Sequence, residues 1–215
     1  MSGVLTVVDR RTPSAAGASP AADESFVPIF DIRFAERLQM RRAGFREIFT
    51  RLEAGGTARE FLVVETGSMR VYDNWEDGQS TRLFDAFVTF HGGEVLSVDL
   101  SPECGPLIRQ CCGDQVKFTC DDSVRYLNRL RHRLHRPIDL LYLDSLDLDV
   151  LAPSASAFHH MKELAAIWPA LGAGSLIAVD DNPPGNLGKG YLVEDFLTHI
   201  GVARKFDGYQ KVWQL

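Results

Sequence analysis

The sequence predicts a doubly wound α/β fold with a mostly parallel β-sheet. From residue 61 onward, short apolar runs alternate with helical segments, and the runs are apolar throughout rather than at every second residue. Such runs are typical of parallel strands that helices cover on both faces. The turn Asp207-Gly208 separates two further short segments and predicts a C-terminal β-hairpin, which brings one antiparallel strand into the sheet.

Seven strands and the helices between them follow from this pattern, with boundaries set by the apolar runs and by turn residues. The predicted strands are 61–65, 94–99, 116–120, 138–144, 175–180, 202–206 and 209–214. The predicted helices in this region are 80–90, 104–112, 123–134, 157–171 and 193–200.

Length and composition predict one domain. A chain of 215 residues with 45% hydrophobic residues can bury a single substantial core, to which we assign residues 26–215. Residues 26–57 form an N-terminal helical segment, in which apolar residues recur on one face from Asp31 until Gly55 and Gly56 end the helix. Residues 1–25 are rich in Ala, Ser and Pro without an apolar period, so we expect a flexible leader there.

Charge and cysteine usage exclude several classes of partner. The net charge of -6 and the pI of about 5.5 give no overall positive field, so we expect no nucleic-acid partner. Two basic clusters, in 33–46 and 129–136, fit the solvated faces of helices. No apolar run has the length of a membrane span and no secretion signal is evident, so we expect no membrane association and a cytoplasmic location. The four cysteines have no CxxC spacing and are expected to be reduced thiols.

The carboxyl ends of the predicted strands carry the candidate functional residues. Ligands of open α/β sheets bind outside these ends, and four of the first five strands end in a carboxylate. After the first strand, glycines allow close backbone approach to a ligand, and Ser80 or Thr81 is expected to cap the next helix and aim its N–H groups at that ligand. The candidate residues of this segment are Glu65, Gly67, Ser68, Gly78, Ser80 and Thr81.

The second and third strands end in residues that suit a nucleoside. Asp99 lies about twenty residues beyond the glycine turn, where a carboxylate accepts hydrogen bonds from both hydroxyls of a ribose. Asp122 and Ser123 follow the third strand and suit an adenine amino group. For each single acid, a helix cap at a strand-to-helix turn is the alternative interpretation.

These motifs resemble those of class I S-adenosylmethionine-dependent methyltransferases, and more narrowly the small metal-dependent O-methyltransferases of the catechol and macrocin types. The resemblance runs from residue 61 to residue 215, although the loop 69–77 is longer than in that family. It implies a Rossmann-like seven-stranded sheet and S-adenosylmethionine as cofactor. The predicted cofactor-binding residues are Glu65, Gly67, Ser68, Gly78, Ser80, Thr81, Asp99, Asp122, Ser123 and Asp144.

The resemblance also implies a metal site at the ends of the fourth and fifth strands. Asp144, Asp181 and Asn182 match the family's metal ligands, and Asp144 is expected to touch both metal and cofactor. Their hard oxygen atoms suit Mg2+ or Mn2+, which would activate a substrate hydroxyl and hold it in line with the methyl group. An acidic turn before Pro183-Pro184 is the alternative interpretation.

The sequence does not identify the catalytic base. Asp147 stands where the catechol enzymes have a lysine, so that base is missing. Of the adjacent His159 and His160 at most one is expected to face the site, and we take His160 as a candidate catalytic residue. Lys189, between two glycines on a predicted loop, is a second candidate base, and Asp144 is also counted among the candidate catalytic residues. A surface or capping histidine and an exposed loop lysine are the alternatives.

The predicted function is metal-assisted O-methylation of a small-molecule hydroxyl, with S-adenosylmethionine as methyl donor. A nicotinamide-dependent oxidoreductase on a related fold is the alternative enzyme, disfavoured because no compact G-x-G-x-x-G follows the first strand. A catalytically inactive binding or assembly module is the alternative from another class. The expected partners are a small-molecule methyl acceptor and a second copy of the chain, since dimers are the commonest soluble assembly.

Overall fold

The computed structural model describes residues 25–75 and 78–215 and confirms the predicted fold. Seven strands form one sheet in the order β3-β2-β1-β4-β5-β7-β6. The strands are β1 (Phe61–Thr66), β2 (Gly93–Asp99), β3 (Val116–Cys120), β4 (Leu140–Leu143), β5 (Leu176–Val179), β6 (Arg204–Asp207) and β7 (Lys211–Gln214). The predicted leader, residues 1–25, lies outside the described residues except for Ser25.

Among the described strands, β7 alone runs in the direction opposite to the other six. β1 pairs in parallel with β2 and β4, and the parallel order continues to β3 and β5. β7 is antiparallel to both β5 and β6, so the single antiparallel strand predicted from the Asp207-Gly208 turn is confirmed. β1, β4 and β5 are buried at every position, which is the reason for their unbroken apolar runs.

Helices cover both faces of this sheet. They are α1 (Val27–Arg33), α2 (Arg42–Ala54), α3 (Ser80–His91), α4 (Cys104–Cys111), α5 (Ser123–Leu130), α6 (Ser154–Ile167) and α7 (Tyr191–His199). Side chains of α1 to α4 form one apolar core, and those of α5 to α7 form the core on the opposite face. Within the described residues, no helix combines the length and the apolar character that a membrane span requires.

The strand order reverses direction between β1 and β4. From β1 the chain moves outward to β2 and β3, and it then returns to the other side of β1 to form β4. Crossovers therefore leave in opposite directions from these two strands, which opens a crevice outside their carboxyl ends. The functional site is expected at this edge.

The N-terminal helical segment is not the continuous helix that the apolar period predicts. α1 ends at Arg33, a 3-10 helix spans Ala35–Arg41, and α2 follows it. The break lies at Gln39, which has a φ of 48° and a ψ of -119°. It accompanies a tertiary contact that the local pattern cannot reveal, because Arg41 turns inward and its guanidinium contacts Asp180.

Two other predicted helices are too long at their C-termini. The helix predicted over 157–171 begins earlier, at Ser154, and ends at Ile167. The 3-10 helix Trp168–Ala170 follows, because Pro169 has no N–H group with which to continue an α-helix. The helix predicted over 123–134 ends at Leu130.

Gly67 connects β1 to its neighbours on both sides. Its N–H donates to the carbonyl of Val98 at 2.9 Å, and its φ is 81°. A Cβ atom at this position would lie 2.3 Å from the carbonyl oxygen of Asp144, at the end of β4. The glycine is therefore required by the close approach of two strand ends, whereas the sequence analysis attributed it to close approach of a ligand.

We predict that Gly67→Ala destabilises the fold by about 2 to 4 kcal/mol, because the methyl group adds a backbone collision to the cost of a positive φ. Gly174→Ala is the matched control, since Gly174 has a φ of 91° but nothing within 4 Å of a built Cβ. The control should cost only about 1 kcal/mol. Urea unfolding of both variants measures the difference, and equal losses would contradict the steric account.

Candidate active site

A cavity opens at the carboxyl edge of the sheet. Its walls come from the ends of β2, β3 and β4 and from α6, and it holds about 390 Å³ of empty space, part of it open to solvent. Asp99, Asp122 and Ser123 line this cavity together with Ser145 and Leu146. The structure thus brings the predicted ribose-side acid and the predicted adenine-side residues around one space.

Asp99 is held in a fixed orientation by the backbone around it. Its Oδ2 accepts the N–H of Ser68 at 2.9 Å, and its Oδ1 accepts the N–H of Ser101 at 2.8 Å. A carboxylate oxygen can accept more than one hydrogen bond, so both oxygens keep capacity for a ligand. The loop after β1 and the turn after β2 therefore present an oriented acceptor pair to the cavity.

Asp122 has two roles in the structure. Its side chain accepts the N–H of Arg125 at 2.8 Å and so caps α5, as the alternative interpretation proposed. It also lines the cavity beside Ser123. The cap fixes the carboxylate at the cavity wall, and its contact with adenine stays a prediction.

Glu65 lies beneath the loop after β1 and does not line the cavity. Its side chain is fully buried, and its Oε2 accepts the hydroxyls of Thr81 at 2.7 Å and Ser97 at 2.6 Å. Burial raises the pKa of Glu65 to about 7, against the opposing effect of the hydroxyls of Ser80, Ser97 and Thr81. Glu65 therefore braces the loop from beneath, and its contact with the cofactor stays a prediction.

The hydroxyls of Thr81 and Ser97, which donate to Glu65, also hold the loop after β1. The Thr81 hydroxyl accepts the N–H of Met69 at 3.0 Å, and the hydroxyls of Ser68 and Ser97 lie 2.7 Å apart. The predicted capping role of Ser80 or Thr81 is wrong, because α3 is preceded by Gln79 and no side chain caps it. Both side chains are buried instead against the Glu65 carboxylate.

The remainder of this loop packs on itself and reaches the loop after β4. Gly78 has a φ of 69°, and a Cβ atom there would lie 3.4 Å from the backbone nitrogen of Arg70. The Arg70 guanidinium lies 2.9 Å from Asp147 Oδ1, and its hydrogen bonds lower the pKa of that acid. Asp147, which stands in the place of the family's lysine, is therefore an ionised partner of Arg70. Residues 76 and 77 of the predicted loop lie outside the described residues.

Lys189 is buried between the ends of β4 and β5. Its Nζ lies 2.7 Å from Asp144 Oδ1 and 2.8 Å from Asp181 Oδ2, and 1% of its side chain is exposed. Burial alone would lower the pKa of this amine, but the two carboxylates outweigh it and raise the pKa. The interpretation of Lys189 as an exposed loop lysine is wrong.

Asn182 holds the loop that carries Lys189. Its Oδ1 accepts the N–H of Gly190 at 2.9 Å, and its Nδ2 donates to the carbonyls of Val179 and Asp180 at 2.9 and 3.1 Å. Lys189 donates its own N–H to the carbonyl of Asp181 at 3.0 Å. The Asn182 amide therefore fixes this loop through backbone groups, and its oxygen already accepts one hydrogen bond.

The predicted metal site does not fit these residues. Asp144, Asp181 and Asn182 do come together as predicted, but the Lys189 ammonium lies between the two carboxylates. Asp144, Asp181 and Lys189 form a cluster of ion pairs instead.

Arg41 is a residue of this cluster that the sequence analysis missed. Its Nε lies 3.3 Å from Asp180 Oδ2, and its Nη2 lies 3.6 Å from Asp181 Oδ1. The hydroxyl of Tyr142, on β4, donates to the same Asp180 oxygen. Arg41 belongs to a basic, helical stretch typical of a solvated face, so no local signal points to its contact with the sheet edge.

With Arg41 and its partner Asp180 included, the cluster has three carboxylates and two cations. Burial raises the pKa of Asp144 to about 8, with Lys189 opposing this rise and the neighbouring Asp180 and Asp181 adding to it. Burial likewise raises the pKa of Asp180, with Arg41 opposing it. One negative charge is left over when all five groups are ionised, so the cluster accepts a proton more readily than an isolated aspartate does.

His159 and His160 have different environments, and the structure does not bring His160 to the cavity. The His160 side chain is fully buried, its Nδ1 donates to the carbonyl of Ser156 at 2.7 Å, and its Nε2 has no hydrogen-bond partner among the described residues. His159 lines the cavity, with its Nε2 3.0 Å from the Ser123 hydroxyl. Of the two histidines, the one facing the cavity is thus His159.

Glu163, also missed, lies under the cavity. This fully buried carboxylate accepts the hydroxyls of Ser145 at 2.7 Å and Thr66 at 3.2 Å, and its Oε1 lies 3.3 Å from His159 Nε2. Burial favours the neutral form, but hydrogen bonds and charge from the two histidines outweigh it and lower the pKa of Glu163. It ties the ends of β1 and β4 to α6. The sequence signal that could have pointed to Glu163 is its position four residues after His159, which places both side chains on one face of a helix.

Of the comparisons with known proteins, the one with solved structures bears on the fold. No protein-family model matches the chain, and no curated protein matches its sequence. Among solved structures, the chain is similar to the MycE methyltransferase from the mycinamycin biosynthetic pathway, in complex with Mg and SAH, with a TM-score of 0.56 and 15% identity over 83% of this chain and 54% of that one. The chain therefore spans about half the length of MycE.

Two further solved structures match nearly end to end. CalS11, a TDP-rhamnose 3'-O-methyltransferase of calicheamicin biosynthesis, has a TM-score of 0.57 and 14% identity over 88% of this chain and 89% of that one. An O-methyltransferase from Bacillus cereus in complex with SAH has a TM-score of 0.52 and 14% identity over 87% and 96%. At this identity the likeness establishes the fold alone, which is the Rossmann-like fold that the sequence predicts.

We predict that His160 makes stability depend on pH. Burial lowers the pKa of His160 from its ordinary 6.5 to about 4. Between these values the unfolded chain binds a proton that the folded chain does not, so the stabilisation is complete above pH 6.5 and is lost as the pH falls towards 4. The loss should be on the order of 2 to 3 kcal/mol.

The measurement is urea unfolding across this pH range for wild type and for His160→Gln, which does not titrate. The wild type should lose more stability than His160→Gln on acidification. The matched control is His199→Gln, at an exposed histidine, which should keep the wild-type pH profile. Parallel profiles for wild type and His160→Gln would show that this histidine does not titrate in that way.

Proposed function

We propose that the chain is an S-adenosylmethionine-dependent methyltransferase. The observation that carries this proposal is the orientation of Asp99, whose two oxygens are fixed by backbone N–H groups at the wall of a cavity shared with Asp122 and Ser123. A nucleoside in this cavity would donate both ribose hydroxyls to Asp99. The folds of the SAH-bound neighbours agree with this choice of cofactor.

The acceptor side of the proposed reaction lies at the end of β4. Ser145 and Leu146 line the cofactor cavity, and the residue before them is Asp144 in the ion-pair cluster. A second cavity, with about 460 Å³ of empty space partly open to solvent, is lined by Arg41 and Tyr209 next to the same cluster. We propose that an acceptor enters from this second cavity and meets the cofactor beside Asp144.

We further propose that the acceptor is a small-molecule hydroxyl, so that the reaction is an O-methylation. A hydroxyl must lose its proton as it is methylated, and burial raises the pKa of Asp144, so its carboxylate is a stronger base than that of an exposed aspartate. The names of two neighbours, an O-methyltransferase and a TDP-rhamnose 3'-O-methyltransferase, lend support to this choice.

The chain's own residues would perform two tasks in this reaction. S-adenosylmethionine, when bound, supplies a methyl group that leaves its sulfonium sulfur while the bonding electron pair stays on sulfur. Asp99 orients the nucleoside, and Asp144 holds the proton released by the hydroxyl. Metal assistance is not included, because Asp144, Asp181 and Asn182 do not fit a metal ion.

The alternatives have weaker support. A dinucleotide site needs glycines that let the backbone approach a pyrophosphate, but Gly67 is packed against the Asp144 carbonyl of a neighbouring strand. A module without catalysis would not need the oriented Asp99 acceptor pair at the wall of an open cavity. The homodimer and the cytoplasmic location predicted from the sequence remain predictions.

We predict that Asp99→Ala weakens S-adenosylmethionine binding by about 2 to 4 kcal/mol, because two charge-assisted hydrogen bonds are lost. The matched control is Asp195→Ala, at an exposed acid on α7, which should bind as wild type does. Calorimetric titration measures both, and a parallel titration with NADH should give no binding. Wild-type affinity for S-adenosylmethionine in Asp99→Ala would remove the assignment of Asp99, and binding of NADH alone would favour the oxidoreductase.

A further inference from the structure

We propose that the ammonium group of Lys189 is the resident cation of this active site, in the place for which the sequence predicts a divalent metal. The inference deepens the proposed methyltransferase function and rests on it. Its basis is geometric, because one buried Nζ lies within 2.8 Å of a carboxylate oxygen on each of the two strand ends that a metal would bridge. The chain then needs no divalent metal for its reaction.

The loop after β5 is built to hold this ammonium. Gly188 and Gly190 flank Lys189, and a Cβ atom on Gly188 would lie 2.4 Å from Asn182 Cα, while one on Gly190 would lie 2.8 Å from Asn182 Oδ1. Only glycines allow the loop to lie this close to Asn182. Together with the Asn182 hydrogen bond to Gly190, these contacts fix the backbone on both sides of the lysine.

The charges around the ammonium favour its retention over exchange for a metal. Asp144 and Asp181 each gain a cation at hydrogen-bond distance, and Arg41 contacts Asp180 and Asp181 from the other side. A divalent ion in the same place would stand beside two buried cations, or would require Lys189 to leave a side-chain environment that is 1% exposed. Both alternatives are electrostatically costly.

The position of Lys189 suits a role in binding the acceptor oxygen. An ammonium has three N–H donors, and two of them account for the contacts with Asp144 and Asp181. Asp144 directly precedes two residues that line the cofactor cavity, and we assign the remaining donor to the acceptor oxygen. A fixed positive charge there would orient an acceptor oxygen and stabilise the negative charge that grows on it.

The experiment uses the full chain and two spectroscopic readouts. Titration with Mn2+ alone, and with Mn2+ in the presence of S-adenosylhomocysteine, is followed by the electron paramagnetic resonance of free Mn2+ for wild type and for Asp181→Asn. Heteronuclear NMR of the lysine ammonium groups is recorded for wild type with and without millimolar Mg2+. Lys189→Arg, which keeps the positive charge, identifies the signal, and Lys162→Arg at an exposed lysine is the matched control.

We expect wild type and Asp181→Asn to take up the same amount of Mn2+, and a protected ammonium signal that persists in Mg2+. We expect this signal to be lost in Lys189→Arg and kept in Lys162→Arg. The inference is overturned if wild type binds Mn2+ at least tenfold more tightly than Asp181→Asn, or if Mg2+ removes the ammonium signal. Failure of wild type to bind S-adenosylmethionine would instead refute the proposed function, so the two failures are distinguishable.

Discussion

The ion pairs of Lys189 with Asp144 and Asp181 hold the carboxyl edge of the sheet together. They join the end of β4 to the loop after β5, and Arg41 extends the same network to the N-terminal helical segment. Removing one member of a buried pair leaves an unpaired charge, at a cost of about 3 to 5 kcal/mol. The close contact of Gly188 and Gly190 with Asn182, the inward turn of Arg41 and the geometry around Asp144 all depend on this balance of charges.

The two halves of the site are organised by different forces. On the cofactor side, hydrogen bonds fix the residues: backbone N–H groups orient Asp99, and hydroxyls join the loop after β1 to Glu65. On the proposed acceptor side, charges dominate, because carboxylates and cations lie together with little access to water. The two halves meet at Asp144, whose backbone contacts Gly67 and whose side chain contacts Lys189. A change at Asp144 therefore affects both halves.

Much of the fold could be predicted from the sequence, because burial on both faces leaves an unbroken apolar run and the Asp207-Gly208 turn marks a hairpin. The convergence of Asp99, Asp122 and Asp144 at one edge follows from the same parallel topology. The roles of Lys189 and Arg41 could not be predicted, because their partners are distant in sequence and both residues lie in segments typical of a solvated surface. A pattern of three oxygen-bearing residues is the same whether a metal ion or an ammonium lies between them, so only tertiary structure distinguishes the two.

The central claim is that this edge binds an adenosyl cofactor beside a resident ammonium ion. A crystal structure of the chain with S-adenosylhomocysteine, grown in millimolar Mg2+, tests it most directly. The account predicts ribose hydroxyls on both Asp99 oxygens and the Lys189 Nζ between Asp144 and Asp181. A ribose bound elsewhere, or a Mg2+ ion coordinated by Asp144 and Asp181 with Lys189 displaced into solvent, would contradict it.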